Sequence, residues 1–153
     1  MDDITRILVV SRDTRYCKKA VHYGMFLARC YGAELFVIHV IHNPFSIQGW
    51  NLPIPSLAEE YQKILRETKE ELTEIIRQEK EKGVHVTQLV REGDPTREIL
   101  QAVRYEHIDL LIMLAHEEGR LEHFLFGRSN DEIFRAMPCS ILMVKREPEP
   151  AAF

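Results

Sequence analysis

Apolar runs and helical repeats alternate along the chain. The run at Ile4–Val10 is β-branched and lacks polar alternation, which predicts a strand covered on both faces. Apolar residues at helical spacing then extend over Cys17–Tyr31, and Asp13 or Thr14 is placed to cap that helix. Gly32 ends the helix, and the sequence AELFVIHV predicts a second buried strand.

The alternation continues after an irregular loop. That loop spans His42–Pro55, where three prolines remove backbone donors and fix the backbone angle φ. Ser56–Lys82 predicts a long amphipathic helix whose apolar face includes Ile64. The sequence VHVTQLV makes a third strand, and Asp94 before Pro95 predicts the start of the next helix, with an acceptor at the cap.

The last part of the chain repeats the alternation of strand and helix once more. The sequence DLLIMLA predicts the most apolar strand, and Ser129 with Glu132 has the form of a capping box at the start of a helix. Ser140–Lys145 predicts a fifth strand. Three apolar residues of the last helix are predicted to face inward: Ile133, Phe134 and Met137.

Five strands separated by helices predict an α/β fold. Each crossover between parallel strands must pass over a face of the sheet, so we expect a doubly wound five-stranded parallel sheet with helices on both faces. In such sheets, ligands bind at the carboxyl ends of the strands, where the strand order reverses. The loops after strands one, two and four are therefore the candidate site.

Composition and charge narrow the class of protein. The 153 residues fit one domain, which we place at residues 1–146, and the polar residues 147–153 are expected to be a disordered tail. No apolar run approaches the roughly 20 residues of a spanning helix, and the N-terminus lacks a secretory signal. We therefore expect a cytoplasmic protein, in which the three cysteines are reduced core thiols. They are Cys17, Cys30 and Cys139.

Residues that could carry chemistry form no recognisable catalytic or metal-binding set. His39 and His42 end strand two, and His116 and His123 follow strand four, but their spacing is not that of zinc ligands. His39 alternates with apolar residues, which predicts a buried, hydrogen-bonded histidine. The spacing indicates no Ser-His-Asp or Cys-His arrangement either, so we expect no metal and no enzymatic activity.

Several segments, taken in their order and spacing, resemble the universal stress protein family. They are ILVVSRDTRYCKKAV, GAELFVIHVI, VTQLVREGDPTREIL, IDLLIM and FGRSNDEIFRAMPCSILMVK, and together they cover nearly the whole chain. The resemblance implies a Rossmann-like sheet with strand order 3-2-1-4-5. It also implies a homodimer, since members of the family pair through the last strand.

The resemblance is incomplete at the nucleotide site. Family members that bind ATP carry a Gly-x2-Gly-x9-Gly-(Ser/Thr) signature after strand four. If Gly127 is the last glycine, the first two glycine positions fall on Leu114 and Glu117, and the Ser/Thr position falls on Arg128. The aspartate that holds adenosine in binders corresponds to Arg12. Side chains at glycine positions keep backbone N–H groups away from phosphate oxygens, so the resemblance implies a non-enzymatic, homodimeric stress-response protein that does not bind ATP.

The alternative is a nucleotide-binding member with a divergent phosphate loop and slow ATPase activity. ATP is the cofactor in that case, whereas the first interpretation has no cofactor. Arg12, Arg120 and Arg128 leave the binding of another anion open. The vestigial or divergent nucleotide site would comprise Ser11, Arg12, Val40, Met113, Gly127, Arg128, Ser129 and Asn130.

Two surfaces are expected to contact proteins. Ile141–Lys145 would be an apolar edge strand, and pairing with the same strand of a second copy would remove that exposed edge. Phe45 and Trp50 lie in the long loop, where exposed aromatic residues indicate a contact surface for a protein partner, the alternative being that they cover the edge of the sheet. With a net charge of -4 and no basic stripe, we expect neither a nucleic acid nor a membrane partner.

Overall fold

Five parallel strands form one sheet in the order β3-β2-β1-β4-β5 within the part of the chain that the structure describes. A computed structural model gives the structure and describes residues 3–11, 18–41, 55–80, 83–115 and 128–145. The strands are β1 (Arg6–Ser11), β2 (Glu34–Ile41), β3 (Val86–Glu92), β4 (Leu110–Leu114) and β5 (Ser140–Val144). The helices are α1 (Lys18–Tyr31), α2 (Pro55–Lys80), α3 (Pro95–Tyr105) and α4 (Arg128–Ala136). The predicted fold class and strand order are confirmed.

The central strands are buried on both faces of the sheet. Along β1, Ile7 and Val9 point into a core formed with α1 and α2, whereas Leu8 and Val10 point into a core formed with α3 and α4. This alternation follows from the two-residue repeat of a strand. We call the two sides the α1–α2 face and the α3–α4 face. Since both are covered, β1 reads in the sequence as a continuous apolar run.

A single glycine lets α1 lie directly on the sheet. A Cβ atom added at Gly24 would lie 2.5 Å from Cγ2 of Val9 and 3.1 Å from Cδ1 of Leu35. Real side-chain contacts are longer than the first of these distances, so the helix and β1 would have to separate to accept a larger residue. The absence of a side chain at Gly24 therefore sets the distance between α1 and the two strands beneath it.

The predicted start of α3 is confirmed. Asp94 has an extended backbone, and its carboxylate accepts a hydrogen bond from the N–H of Arg97 at 2.8 Å. Pro95 occupies the first helical turn, where a missing backbone donor costs nothing. Gly93, with φ of 137°, makes the turn from β3 into this cap.

The amino ends of β1 and β4 are joined by one carboxylate. Oδ2 of Asp109 accepts hydrogen bonds from the backbone N–H of Thr5 at 2.8 Å, the Thr5 hydroxyl at 2.8 Å and the N–H of Arg6 at 2.9 Å. The N–H of Asp109 in turn donates to the carbonyl of Arg6 at 2.9 Å. Burial acts to raise the pKa of Asp109, but these hydrogen bonds outweigh it and hold the pKa below its ordinary value.

Arg6 extends this connection to β2. Its guanidinium lies 4.9 Å from the ring centroid of Phe36, and Nη1 lies 3.2 Å from Oε2 of Glu34. Nε of Arg6 also donates to the carbonyl of Glu106, just after α3. Contacts of Arg6 and Asp109 thus hold three neighbouring strands together at their amino ends.

Some residues that the pattern places inward are exposed. Phe134 is 56% exposed and Met137 is 63% exposed, while Ile133 is fully buried. Phe134 lies one position, about 100°, around the helix from Ile133. Met137 has a φ of 40° and lies beyond the end of α4, so it no longer follows the helical repeat. The predicted inward positions are therefore wrong for Phe134 and Met137.

Similar corrections apply to α1 and α2. Tyr31 is 57% exposed because it is the last residue of α1, and Ile64 is 47% exposed at the edge of the apolar face of α2. Cys30 is exposed, so its prediction as a core thiol is wrong. Cys139 is half-buried, and burial raises the pKa of its thiol. Cys17 lies outside the described residues, as do the tail at 147–153 and the loop that contains Phe45 and Trp50.

The Asp109 carboxylate should contribute measurably to folding. We expect Asp109→Asn to lower the free energy of unfolding at pH 7 by roughly 1–3 kcal/mol, because a charged acceptor of three hydrogen bonds is lost. The pKa of Asp109 is lowered in the folded state, so its contribution is present at neutral pH and disappears as the pH falls through that lowered value. Urea unfolding at several pH values would measure both effects.

The control is Asp3→Asn, at an exposed carboxyl group outside this cluster. It should change the free energy of unfolding by less than about 0.5 kcal/mol. A difference between the original protein and Asp109→Asn that stays constant from about pH 7 to about pH 2 would contradict the role given to the carboxylate.

Candidate functional site

The candidate site lies at the carboxyl edge of the sheet, between β1 and β4. The chain passes from β1 to β2 on one side and later enters β4 on the other side of β1, so the strand order reverses there. Loops that follow two such strands diverge and leave a crevice for ligands. The residues predicted from the family's ATP site should therefore lie near the carboxyl ends of β1 and β4.

The structure brings four of the predicted site residues to one side. Val40 and Met113 pack on the α3–α4 face, and Ser129 and Asn130 lie in the first turn of α4, buried with 5% and 7% exposure. Ser11 points instead to the α1–α2 face. Arg128 is the first residue of α4, and Arg12 and Gly127 lie outside the described residues, with Glu117, Glu118 and Arg120.

The start of α4 is held by side chains of its own fold. Nδ2 of Asn130 donates to the carbonyl of Leu114 at 3.1 Å, which joins the helix to the end of β4. The Thr96 hydroxyl donates to Oγ of Ser129 at 3.0 Å, which joins the first turns of α3 and α4. Oδ1 of Asn130 is buried and has no hydrogen-bond partner among the described residues. Ser129 is predicted as the helix cap, but α4 begins one residue earlier, at Arg128.

Leu114, the residue that the resemblance places at the first signature glycine, continues strand β4. It pairs with Val144 of β5, and the N–H of Ala115 donates to the carbonyl of Val144 at 2.7 Å. The Leu114 side chain is half-buried and packs against the core of the α1–α2 face. A glycine here would expose backbone to a ligand, whereas this chain has strand pairing and a packed side chain.

A buried polar pair lies beside this site on the α1–α2 face. Oγ of Ser11 is 3.4 Å from Nδ1 of His39, and the two residues are 1% and 8% exposed. The prediction of a buried, hydrogen-bonded His39 is confirmed. Further along the same edge, burial and the nearby Glu92 carboxylate raise the pKa of Tyr61 to about 12. Tyr61 is therefore a neutral hydroxyl at physiological pH.

Two contacts at the site are present in the structure but are not predicted from the sequence. Thr96 is not identified as a site residue, although the helix start at Asp94 and Pro95 gives its local structure. The pairing of Ser11 with His39 is likewise not predicted, because it depends on the register between β1 and β2. A local motif reports the start of a helix, but it does not report which distant side chain the first turn will contact.

Other types of site find little support among the described residues. No group of three or more His, Cys, Asp or Glu side chains there could hold a metal ion. No helix within those ranges is long and apolar enough to cross a membrane. A cavity of about 340 Å³ lies at the opposite, amino end of β2 and β3, where Arg29, Glu34 and His85 line it. That cavity lies at the end of the sheet opposite the candidate site.

Comparison with known proteins gives one family. The model of the universal stress protein family matches residues 3–145. The universal stress protein MJ0531 of Methanocaldococcus jannaschii is 25% identical over 146 residues, which cover 92% of this chain and 82% of that protein. The solved structure of MJ0577, from the same organism, covers 97% of this chain and 100% of its own, with 21% identity and a TM-score of 0.74. An Arabidopsis thaliana family protein solved with AMP bound covers 96% of each chain, with 18% identity and a TM-score of 0.63.

The bond between Asn130 and Leu114 should stabilise the start of α4. We expect Asn130→Ala to lower the free energy of unfolding by roughly 1–2 kcal/mol, because it removes the donor to the Leu114 carbonyl. Asp131→Ala changes the next, exposed residue and should have a smaller effect, up to about 1 kcal/mol from the lost acid at the helix start. Urea unfolding of both variants measures the difference, and equal effects would show that the Asn130 contact adds nothing.

Proposed function

Because the chain belongs to the universal stress protein family, we propose that it is a cytoplasmic member that does not bind ATP. It acts without chemistry of its own, as a homodimeric regulatory protein in a stress response. The proposal concerns the edge of the sheet where the family's nucleotide signature lies, and the edge strand β5.

The environment of Leu114 carries the first part of the proposal. Its backbone is part of β4, its side chain packs against the core, and its carbonyl accepts the hydrogen bond of Asn130. A phosphate approaches a glycine loop closely because no Cβ atom is present and the N–H groups are free to turn toward it. At Leu114 the chain instead uses the side chain and the carbonyl for contacts within the protein.

Charge in the sequence supports the same conclusion. Glu117 occupies the second glycine position, with Glu118 beside it, whereas ATP carries several negative charges. Two like charges about 4 Å apart repel by roughly 1 kcal/mol in water and by about four times as much near a protein surface. A few such contacts are sufficient to remove micromolar affinity.

One observation favours a second candidate, a nucleotide-binding member with a divergent loop. Oδ1 of Asn130 is buried without a partner among the described residues, at the start of a helix that faces the carboxyl edge. The Arabidopsis thaliana relative was solved with AMP bound. In this alternative, Asn130 would accept a hydrogen bond from a bound nucleotide and arginines would replace the glycine loop.

Titration with ATP and magnesium distinguishes the two candidates. We expect no heat of binding up to about 1 mM ATP, which corresponds to a binding free energy weaker than about -4 kcal/mol. The purified protein should also release no nucleotide on denaturation, as checked by anion-exchange chromatography of the supernatant. Stoichiometric nucleotide or a micromolar dissociation constant would establish the second candidate instead.

The reason why the chain does not bind ATP can be tested with a matched pair of variants. We expect Leu114→Gly combined with Glu117→Gly to gain at least about tenfold in ATP affinity, because both glycine positions are restored. Leu114→Ala combined with Glu117→Gly keeps a Cβ atom at the first position and should gain less. Equal affinities in the two variants would show that a side chain at Leu114 is not the obstacle.

The outer edge of β5 supports the homodimer. β5 pairs only with β4 in the described sheet, so its other edge carries unpaired backbone groups. Met143 on this strand is 40% exposed, and two further exposed apolar residues lie at or just past the end of the preceding helix, Phe134 and Met137. Antiparallel pairing with β5 of a second copy would cover both the backbone edge and the apolar side chains.

A charge on β5 should therefore dissociate the dimer. We expect Met143→Lys to give a monomer in sedimentation velocity, because pairing would bring a lysine from each copy into the same interface and charges on an edge strand oppose strand pairing. Tyr105→Lys is the control, since Tyr105 is 74% exposed on α3, away from this edge. An unchanged dimer in Met143→Lys would exclude β5 as the interface.

A further inference from the structure

The outer side of α1 carries a ridge with two exposed aromatic side chains. Lys19, Tyr23, Phe26 and Cys30 recur at intervals of four, three and four residues, which places them on one side of the helix. Tyr23 is 42% exposed and Phe26 is 51% exposed. From Lys19 to Cys30 the ridge is about 16 Å long. We call these four residues the α1 ridge.

The ridge is not needed to hold α1 on the sheet. The inner side of the helix is complete without it and consists of Ala20, Val21, Gly24, Met25 and Ala28. Single exposed apolar residues are ordinary on protein surfaces, but neighbouring exposed aromatic residues on one helix side indicate a contact surface. Tyr and Phe are also among the residue types enriched where proteins meet.

The flank of the ridge is basic. Lys18 and Arg29 are eleven residues apart, close to three helical turns, so they lie on the same side of α1, and both are exposed. The helix has no acidic residue, although the chain as a whole has a net charge of -4. Among the described residues, no ion pair involves Lys18, Lys19 or Arg29. Glu34, shortly after the helix, is instead paired with Arg6.

We propose that the α1 ridge docks an amphipathic helix of another protein, whose apolar ridge is flanked by aspartates and glutamates. Ridges built on a spacing of three and four residues pack against a similar ridge at a crossing angle of about 20°. The partner segment needs at least about three turns to match the length of the ridge. Lys18 and Arg29 then face the partner's acidic residues and determine its orientation.

The observations favour a helix over a membrane or a nucleic acid. A helix bound at a membrane surface inserts its broad apolar face into lipid, whereas that face of α1 is packed on the sheet. Nucleic acid binding requires an extended positive field, which the net charge of -4 does not provide. A single apolar ridge beside two exposed cations matches one acidic helix in size and charge.

The test uses the full chain and a synthetic helical peptide of about 18 residues. The peptide carries leucines at spacings of four and three, with glutamates on both sides, and a fluorescent label for anisotropy. We expect a dissociation constant in the micromolar range. Phe26→Ala should weaken binding at least about tenfold, since truncation of a central aromatic residue typically removes that much. Tyr105→Ala, at an exposed tyrosine on α3, should leave binding unchanged.

A charge exchange tests whether Lys18 and Arg29 face acidic residues of the partner. We expect the combination of Lys18→Glu and Arg29→Glu to weaken binding of the acidic peptide about tenfold, and a peptide with lysines in place of the flanking glutamates to regain it. Unchanged melting temperatures would show that the variants are folded. The result of this test does not depend on ATP binding or on pairing through β5. The ridge proposal can therefore fail while the proposed function holds, and the reverse.

Several results would overturn the proposal. One is the absence of an anisotropy change at about 1 mM protein, and another is equal weakening by Phe26→Ala and Tyr105→Ala. Binding of vesicles containing phosphatidylserine, or of single-stranded oligothymidylate, without binding of the peptide would assign the ridge to a different class of partner. Conversion of the protein to a monomer by Phe26→Ala would assign the ridge to a contact between copies of this chain.

Discussion

The Asp109 carboxylate holds β1 and β4 together at the amino edge of the sheet, and the position of the candidate site follows from it. Residues 103 and 104 positions apart along the chain meet there, because Asp109 accepts hydrogen bonds from Arg6 and Thr5. Arg6 extends the connection to β2 through Glu34 and Phe36. The three neighbouring strands are therefore held side by side at their amino ends, and their backbone pairing continues the same register toward the carboxyl ends. The relative position of β1 and β4 at the candidate site belongs to the same register.

At the carboxyl edge, the first turns of α3 and α4 are joined to each other and to β4. Thr96 bonds to Ser129, and Asn130 bonds to the carbonyl of Leu114. Helix starts carry partial positive charge and attract anions, so this geometry is the frame on which a phosphate site can be built. In this chain, side chains of the fold occupy part of that frame. The family's fold is thus retained, while these side chains make contacts within the protein.

The sequence predicts those features whose cause is local. The run at β1 is apolar because both faces are covered, and Asp94 before Pro95 marks a helix start because cap and first turn are adjacent in the chain. The contacts of Ser11 with His39 and of Thr96 with Ser129 join residues 28 and 33 positions apart, so no local pattern reports them. Helical spacing gives an approximate direction for a side chain but not the limits of the face that the sheet covers. Phe134, about 100° around α4 from the buried Ile133, and Tyr31, the last residue of α1, are therefore exposed although their spacing predicts that they lie on an apolar face.

Two groups of exposed side chains have a compatible geometry. One group lies along β5 and the end of α4, and the other forms the α1 ridge on the opposite face. Antiparallel pairing of β5 with a second copy requires a two-fold axis perpendicular to the sheet, so equivalent faces lie side by side. The two α1 ridges would then be on the same side of one continuous ten-stranded sheet, twice the five strands of a single chain. A partner with two acidic helices could bind both at once, and its second contact would benefit from a high effective concentration. Dimerisation through β5 would in this way strengthen a docking surface to which β5 itself contributes no residue.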